Sequence, residues 1–140
     1  MNYTVLSIAG ALHFLQLPSL VYLVRGTLDL RGDLGRLSAV NRRLFVVFVL
    51  AVAFLLLGMG ALVALYPEHF LETPLGQRLC WLLAIFWTAR ALVQTWLRSV
   101  WPRDSANRAV YYGLFALYTF LAVCYWCSAR AGTAHLASFG

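Results

Sequence analysis

The 140-residue sequence contains no lysine, and only 11% of its residues are charged. An average soluble domain has about 25% charged and about 45–50% apolar residues; here 62% are apolar. A soluble chain of this length keeps too much surface to hide so many apolar side chains in one core. Lipid is the solvent that fits. The eleven arginines against five acids give a net charge of +6, which raises nucleic acid as a partner. No basic face interleaved with exposed aromatics supports it, so none is expected. Also missing are a phosphate-cradling loop, a His-Glu-x-x-His pair and a nucleophile elbow. These absences point away from an enzyme.

What is present is apolar length. A transmembrane helix needs about 20 mostly apolar residues, and four runs qualify: Thr4 to Val24, Leu44 to Tyr66, Leu79 to Trp101 and Ala109 to Cys127. None contains Asp or Glu; all five acids (Asp29, Asp33, Glu68, Glu72, Asp104) fall in connections. The first run has neither a basic region before it nor a small-residue cleavage site before Arg25, so it is read as a retained helix. Interfacial aromatics (Tyr22, Tyr66, Trp81, Trp96, Trp101, Tyr111, Tyr112, Tyr125, Trp126) flank the runs. The predicted fold is all-α: a single-domain, four-transmembrane-helix antiparallel bundle in which one hairpin packs on another. Ala53, Gly60 and Ala64 form a small-residue stripe for close helix packing.

The connections set orientation. Residues 25–43 carry five arginines and residues 98–108 carry three, against Arg78 and Arg130 on the other side. The positive-inside rule places those two connections in the cytoplasm and both termini outside a cell membrane. Between Thr27 and Val40, Leu30, Leu34, Leu37 and Val40 recur at helical spacing, which suggests a short interfacial helix. Gly32 and Gly35 weaken it, and a solvated loop fits the same residues. Pro67 and Pro74 bracket the outer connection.

Polar side chains inside hydrocarbon are the best functional pointers in such a chain. The first run holds His13 and Gln16, with Pro18 expected to free the Phe14 carbonyl and kink the helix. The third holds Arg90 and, one turn on, Gln94; the fourth holds Tyr118. Counted from the run ends, His13, Arg90 and Tyr118 share a depth near mid-membrane. A central arginine costs about 2.5–3.5 kcal/mol on insertion scales, and no intramembrane acid exists to pair with it. Trp87, three residues earlier, is placed to cover it by cation–π contact. These six residues are the expected site for a ligand or partner. A packing role is the plainer reading of His13 or Tyr118 taken singly; for Arg90 snorkelling is the weaker reading, because a charge at the centre of a run rarely occurs without function.

Cys124-Tyr-Trp-Cys127 is a C-x-x-C, a spacing that supports thiol–disulfide exchange. In this it resembles the vitamin K epoxide reductase kind of four-helix membrane enzyme, which oxidises thiols with a quinone. Those enzymes need a second, relaying cysteine pair, and only Cys80 is left over. Small apolar residues in an interfacial turn are the simpler account. A haem between two histidines would need a second intramembrane histidine, unless a partner or a second copy supplied one. Glu68, His69 and Glu72 could touch a metal, but read more simply as a solvated face. The expectation is a non-catalytic accessory or scaffold subunit, or a binder of lipid or quinone. It would sit in the bilayer with other membrane subunits or copies of itself. A thiol/quinone oxidoreductase using Cys124 and Cys127, and a small anion transporter or channel selecting with Arg90, are the alternatives.

Overall fold

The computed structural model describes residues 2–22, 30–99, 101 and 104–137, in which every regular element is helical. Seven α-helices follow one another: α1 (Tyr3–Leu12), α2 (Gln16–Tyr22), α3 (Leu30–Arg36), α4 (Ala39–Leu65), α5 (Pro67–Glu72), α6 (Pro74–Leu97) and α7 (Ser105–Ala137). Three of them, α4, α6 and α7, are long and apolar enough to cross a membrane. Leu23, Val24, Arg25, Thr27 and Asp29 at the first connection, and Arg103 at the last, lie outside the described residues.

The first apolar run is not one helix. A 3₁₀ turn, His13–Leu15, separates α1 from α2, so neither piece alone has the length of a crossing. Pro18 cannot donate to the Phe14 carbonyl, and the chain tightens just ahead of it. At His13 the backbone N–H reaches Gly10 O, three residues back. That leaves the Ala9 carbonyl to the His13 ring, whose Nδ1 lies 2.9 Å away.

Capping moves the other boundaries. Ser38 accepts from Asn41 N at 3.2 Å and starts α4 five residues before its apolar run. Val40 therefore belongs to α4, and the predicted interfacial stripe ends with α3. Pro67 and Pro74 each occupy a first helical turn, where a missing N–H costs nothing. Thr73 caps α6, accepting from Gly76 N at 3.0 Å, so α6 too begins five residues early. Its midpoint shifts accordingly. Arg90, central in the predicted run, lies about 7 Å past the midpoint of α6 towards its C-terminal end, at 1.5 Å per residue.

Packing is most extensive between α6 and α7, and next between α1 and α4; α5 tucks against α6, α1 and α7. Tyr3 Oη donates to Glu72 Oε1 at 2.5 Å, fastening the start of α1 to α5. The polarity is inverted relative to a soluble domain. Phe48, Phe54 and Leu55 of α4 are exposed, Phe54 by 77%, while His13 and Gln94 are fully buried. Apolar helices with outward-facing side chains of this kind point to a lipid-bilayer environment.

Candidate functional site

Arg90 projects from α6 towards α7, where Tyr118 meets it twice. The guanidinium carbon stands 4.6 Å from the centre of the Tyr118 ring, and Nη2 donates to Tyr118 Oη at 3.3 Å. Nη1 donates to Gln94 Oε1, one turn on, at 3.3 Å. Gln94 is itself pinned. Its backbone carbonyl lacks an ordinary partner because Arg98 N turns to Thr95 O, and Tyr111 Oη supplies one at 3.0 Å. The lone charge is thus spread over a ring, a hydroxyl and an amide oxygen, all neutral.

Trp87 does not cover Arg90 as its spacing suggests. Tyr118 takes that place, and Trp87 stacks behind it at 5.5 Å and 23°. An α7 side chain entering the seam reaches the guanidinium more directly than a residue one turn back on its own helix. His13 joins at the far end, edge-on to Trp87 at 5.1 Å and to Tyr125 at 5.9 Å. The four side chains form a row, His13–Trp87–Tyr118–Arg90, in which His13 touches the aromatic end and not the cation. Since a carbonyl only accepts, the His13 bond to Ala9 O places the imidazole proton on Nδ1. Nε2 remains as a buried acceptor between the rings.

Gln16 reaches the same place from α2. With Arg90 and Tyr118 it lines a cavity of about 190 Å³, open on one side, whose remaining walls include Leu17, Phe48, Val52, Ala53 and Leu56. An apolar cavity of about 150 Å³ holds one benzene ring, so this one accommodates a single six-membered ring. The polar atoms around it are lopsided. Arg90 carries five N–H donors, and among the described residues two hydrogen bonds occupy them. Gln16 Nε2 in the lining, and Gln94 Nε2 outside it, are buried donors with no hydrogen-bond partner among the described residues. Among the described residues, no carboxylate lines the cavity. The guanidinium of Arg90 and the amide of Gln16 supply donors here, beside the hydroxyls of Tyr118 and of Ser19, which turns back to Gln16 O.

The α4 wall escaped the sequence search because apolar residues give no polar signal. Ala53, read as part of a packing stripe, lines the cavity, while Gly60 and Ala64 of the same stripe face α1. Tyr125, an aromatic near the end of its run that shares the helical stripe of Tyr118 seven residues earlier, is fully buried against His13.

Cys124 is buried, Cys127 exposed, and both thiols are free, as is that of Cys80. Cys124 and Cys127 lie far along α7 from Ser105, beyond reach of the helix N-terminus that would favour a thiolate. Glu68 pairs with His69 at 3.4 Å, and Glu72 holds Tyr3; the three do not converge.

No protein-family model, curated protein or solved structure matches the chain.

Proposed function

We propose that this is a non-catalytic membrane protein that holds an amphiphile, a lipid or a quinone, with its acceptor-bearing head against Arg90. In this reading α1, the 3₁₀ turn and α2 together form a fourth crossing. Their twenty residues from Tyr3 to Tyr22 extend about 30 Å, the thickness of the hydrocarbon core. The observation that carries the binding reading is the ring-sized, largely apolar cavity lined by Arg90, Gln16, Ser19 and Tyr118, in which Gln16 Nε2 has no hydrogen-bond partner among the described residues. Carbonyl or carboxylate oxygens would satisfy the donors of Arg90 and Gln16. A tail would leave through the open side into lipid.

The test is extraction of the protein purified in mild detergent, followed by mass spectrometry of what it carries. Wild type should carry about one quinone or lipid per chain. Arg90→Leu should insert and fold, since it removes an insertion cost of about 2.5–3.5 kcal/mol, yet carry none. Arg90→Lys should lose most of it, because an ammonium cannot make a planar, bidentate contact. Retention by Arg90→Leu would overturn the reading. Loss of a co-purifying membrane subunit, with no small molecule in wild type, would replace it with an accessory role.

The cysteine geometry lends nothing to a thiol oxidoreductase. For orientation, the eight-to-two arginine asymmetry supports both termini outside the cytoplasm. A cytoplasm-only reporter should be silent after Gly140 and active between Gly32 and Ser38; the reverse pattern would invert the topology.

A further inference from the structure

A second cleft, of about 630 Å³, opens where α6 ends and α7 begins, and shares no residue with the cavity beneath Arg90. Its walls carry Arg98 and Ser99 from the end of α6 and Arg108, Tyr111 and Tyr112 from the first turns of α7, with Trp96 and Trp101 beside them. The walls are braced. Trp101 Nε1 donates to Asn107 O at 2.8 Å, and Tyr111 Oη donates to Gln94 O at 3.0 Å. Trp101 and Tyr111 also meet edge-on at 5.5 Å. Two cations therefore line one braced cleft, Arg98 at the end of α6 and Arg108 in the first turn of α7.

Among the described residues, the lining contains no carboxylate. The nearest acid in sequence, Asp104, is engaged by Asn107, whose N–H it accepts at 2.9 Å. The hydroxyls of Thr95 and Ser99 turn back to carbonyls of α6, and those of Tyr111 and the Trp101 N–H are used in the bracing. Donation into the cleft falls to the two guanidinium groups and the Tyr112 hydroxyl. Such a set matches a phosphate, which takes several donors from more than one side.

Depth decides where that phosphate comes from. Arg98 lies about 12 Å along α6 past Arg90, and about 19 Å from the midpoint of the helix, at 1.5 Å per residue. The hydrocarbon core extends about 15 Å from its centre, so with α6 centred in the bilayer Arg98 comes at the level of lipid head groups. Trp96 is 76% exposed and Tyr112 is 55% exposed, as aromatics are when they sit in the interfacial belt. We propose that this cleft binds the phosphate head group of an anionic phospholipid, with its chains lying along Trp96 and Tyr112. The proposal rests on the membrane placement and is independent of what occupies the cavity at Arg90.

Binding is measured by native mass spectrometry of the full chain released from nanodiscs of phosphatidylglycerol and phosphatidylcholine. Wild type should retain phosphatidylglycerol in preference to phosphatidylcholine, and inorganic phosphate should not displace it. The Arg98→Gln/Arg108→Gln variant should bind it about thirtyfold more weakly, at about fivefold for each arginine near the surface. The Arg42→Gln/Arg43→Gln variant, which removes the same charge at the start of α4, should bind as wild type does. Equal weakening by the two pairs would show diffuse surface charge and overturn the site. Displacement by inorganic phosphate alone would show a free-anion site and overturn the lipid assignment. Should the first pair fail to fold, the wild-type preference and the phosphate competition still decide: no lipid preference in wild type refutes the proposal.

Discussion

Where α1 crosses α4, Gly10 and Gly60 bring two backbones together with almost nothing between them. Where α6 meets α7, rings fill the space. A Cβ on Gly60 would stand 2.5 Å from His13 Cβ and 2.9 Å from Gly10 O, and one on Gly10 would strike the Ala64 backbone. No hydrogen bond between described side chains links α1 to α4. The α6–α7 seam, by contrast, stacks Trp87 on Tyr118, sets Trp81 edge-on to Trp126 at 4.9 Å, and ties Trp126 Nε1 to Thr88 Oγ1 at 3.0 Å. Lipid tails are as apolar as leucine, so helices in a bilayer associate through close packing or through hydrogen bonds rather than hydrophobic burial. This chain uses each device on a different pair. The glycine seam is close backbone contact, with the unpartnered His13 Nε2 near its edge. The ring seam keeps its large side chains apart, and beside it the donors of Arg90 and Gln16 meet a cavity.

The largest effect should come from closing the glycine seam. Gly60→Leu should leave little monodisperse protein in detergent, because α1 and α4 must separate. Gly60→Ala should lower stability by about 1–3 kcal/mol, the usual cost of overpacking. Gly58, two residues away, has open space around its Cβ position. Gly58→Ala should therefore be neutral or stabilising, by up to about 1 kcal/mol of helix propensity. Thermal unfolding of the three variants checks the contrast. Equal loss in both alanine variants would mean that glycine serves helix flexibility here and not contact.

A smaller effect is expected on the ring seam, where contacts are many and each is replaceable. Tyr111→Phe keeps the ring against Trp101 but withdraws the hydroxyl from Gln94 O. It should cost about 1 kcal/mol, the net worth of one hydrogen bond. A loss as large as that of Gly60→Ala would show that the α6–α7 seam depends on single bonds as much as the other depends on single glycines.

The two seams were not equally legible in the sequence. The glycine seam was half visible: Gly60 and Ala64 share a helical stripe in an apolar run, though nothing marked Gly10 as their partner. The ring seam announced its polar members, because Arg90, Gln94 and Tyr118 stand out against hydrocarbon. Their contacts did not follow from spacing along one helix. Tyr118 displaced Trp87 beneath the guanidinium, and only the pairing of α6 with α7 reveals that. Helix boundaries moved by about a turn wherever Ser38, Thr73 or Pro74 outweighed hydropathy, and this carried Arg90 off the helix midpoint. The break at His13 was foreshadowed by Pro18. The cavity was illegible, since most of its wall is Phe, Val, Ala and Leu that any apolar helix could carry.

The smallest effect concerns how the ring seam begins. Asp104 precedes α7, and its carboxylate accepts from Asn107 N at 2.9 Å and from Asn107 Nδ2. These bonds hold its carboxyl below the usual carboxylate range. The depressed value fixes the sign. The contribution to stability is complete above the ordinary Asp value of about 3.9 and is lost as pH falls through the lower value of the folded state. Wild type and Asp104→Ala should differ in unfolding midpoint at pH 6, with wild type higher, and the gap should narrow steadily below pH 4. Taking the difference removes the other four acids, which titrate alike in both proteins. The gap should be small, because the carboxylate is exposed and solvent screens it. It should also shrink on the α7 side alone: a Gly60→Ala background should leave it unchanged, since the glycine seam has no carboxylate in contact. A gap that persists undiminished at pH 3 would show that Asp104 acts through its shape and not its charge.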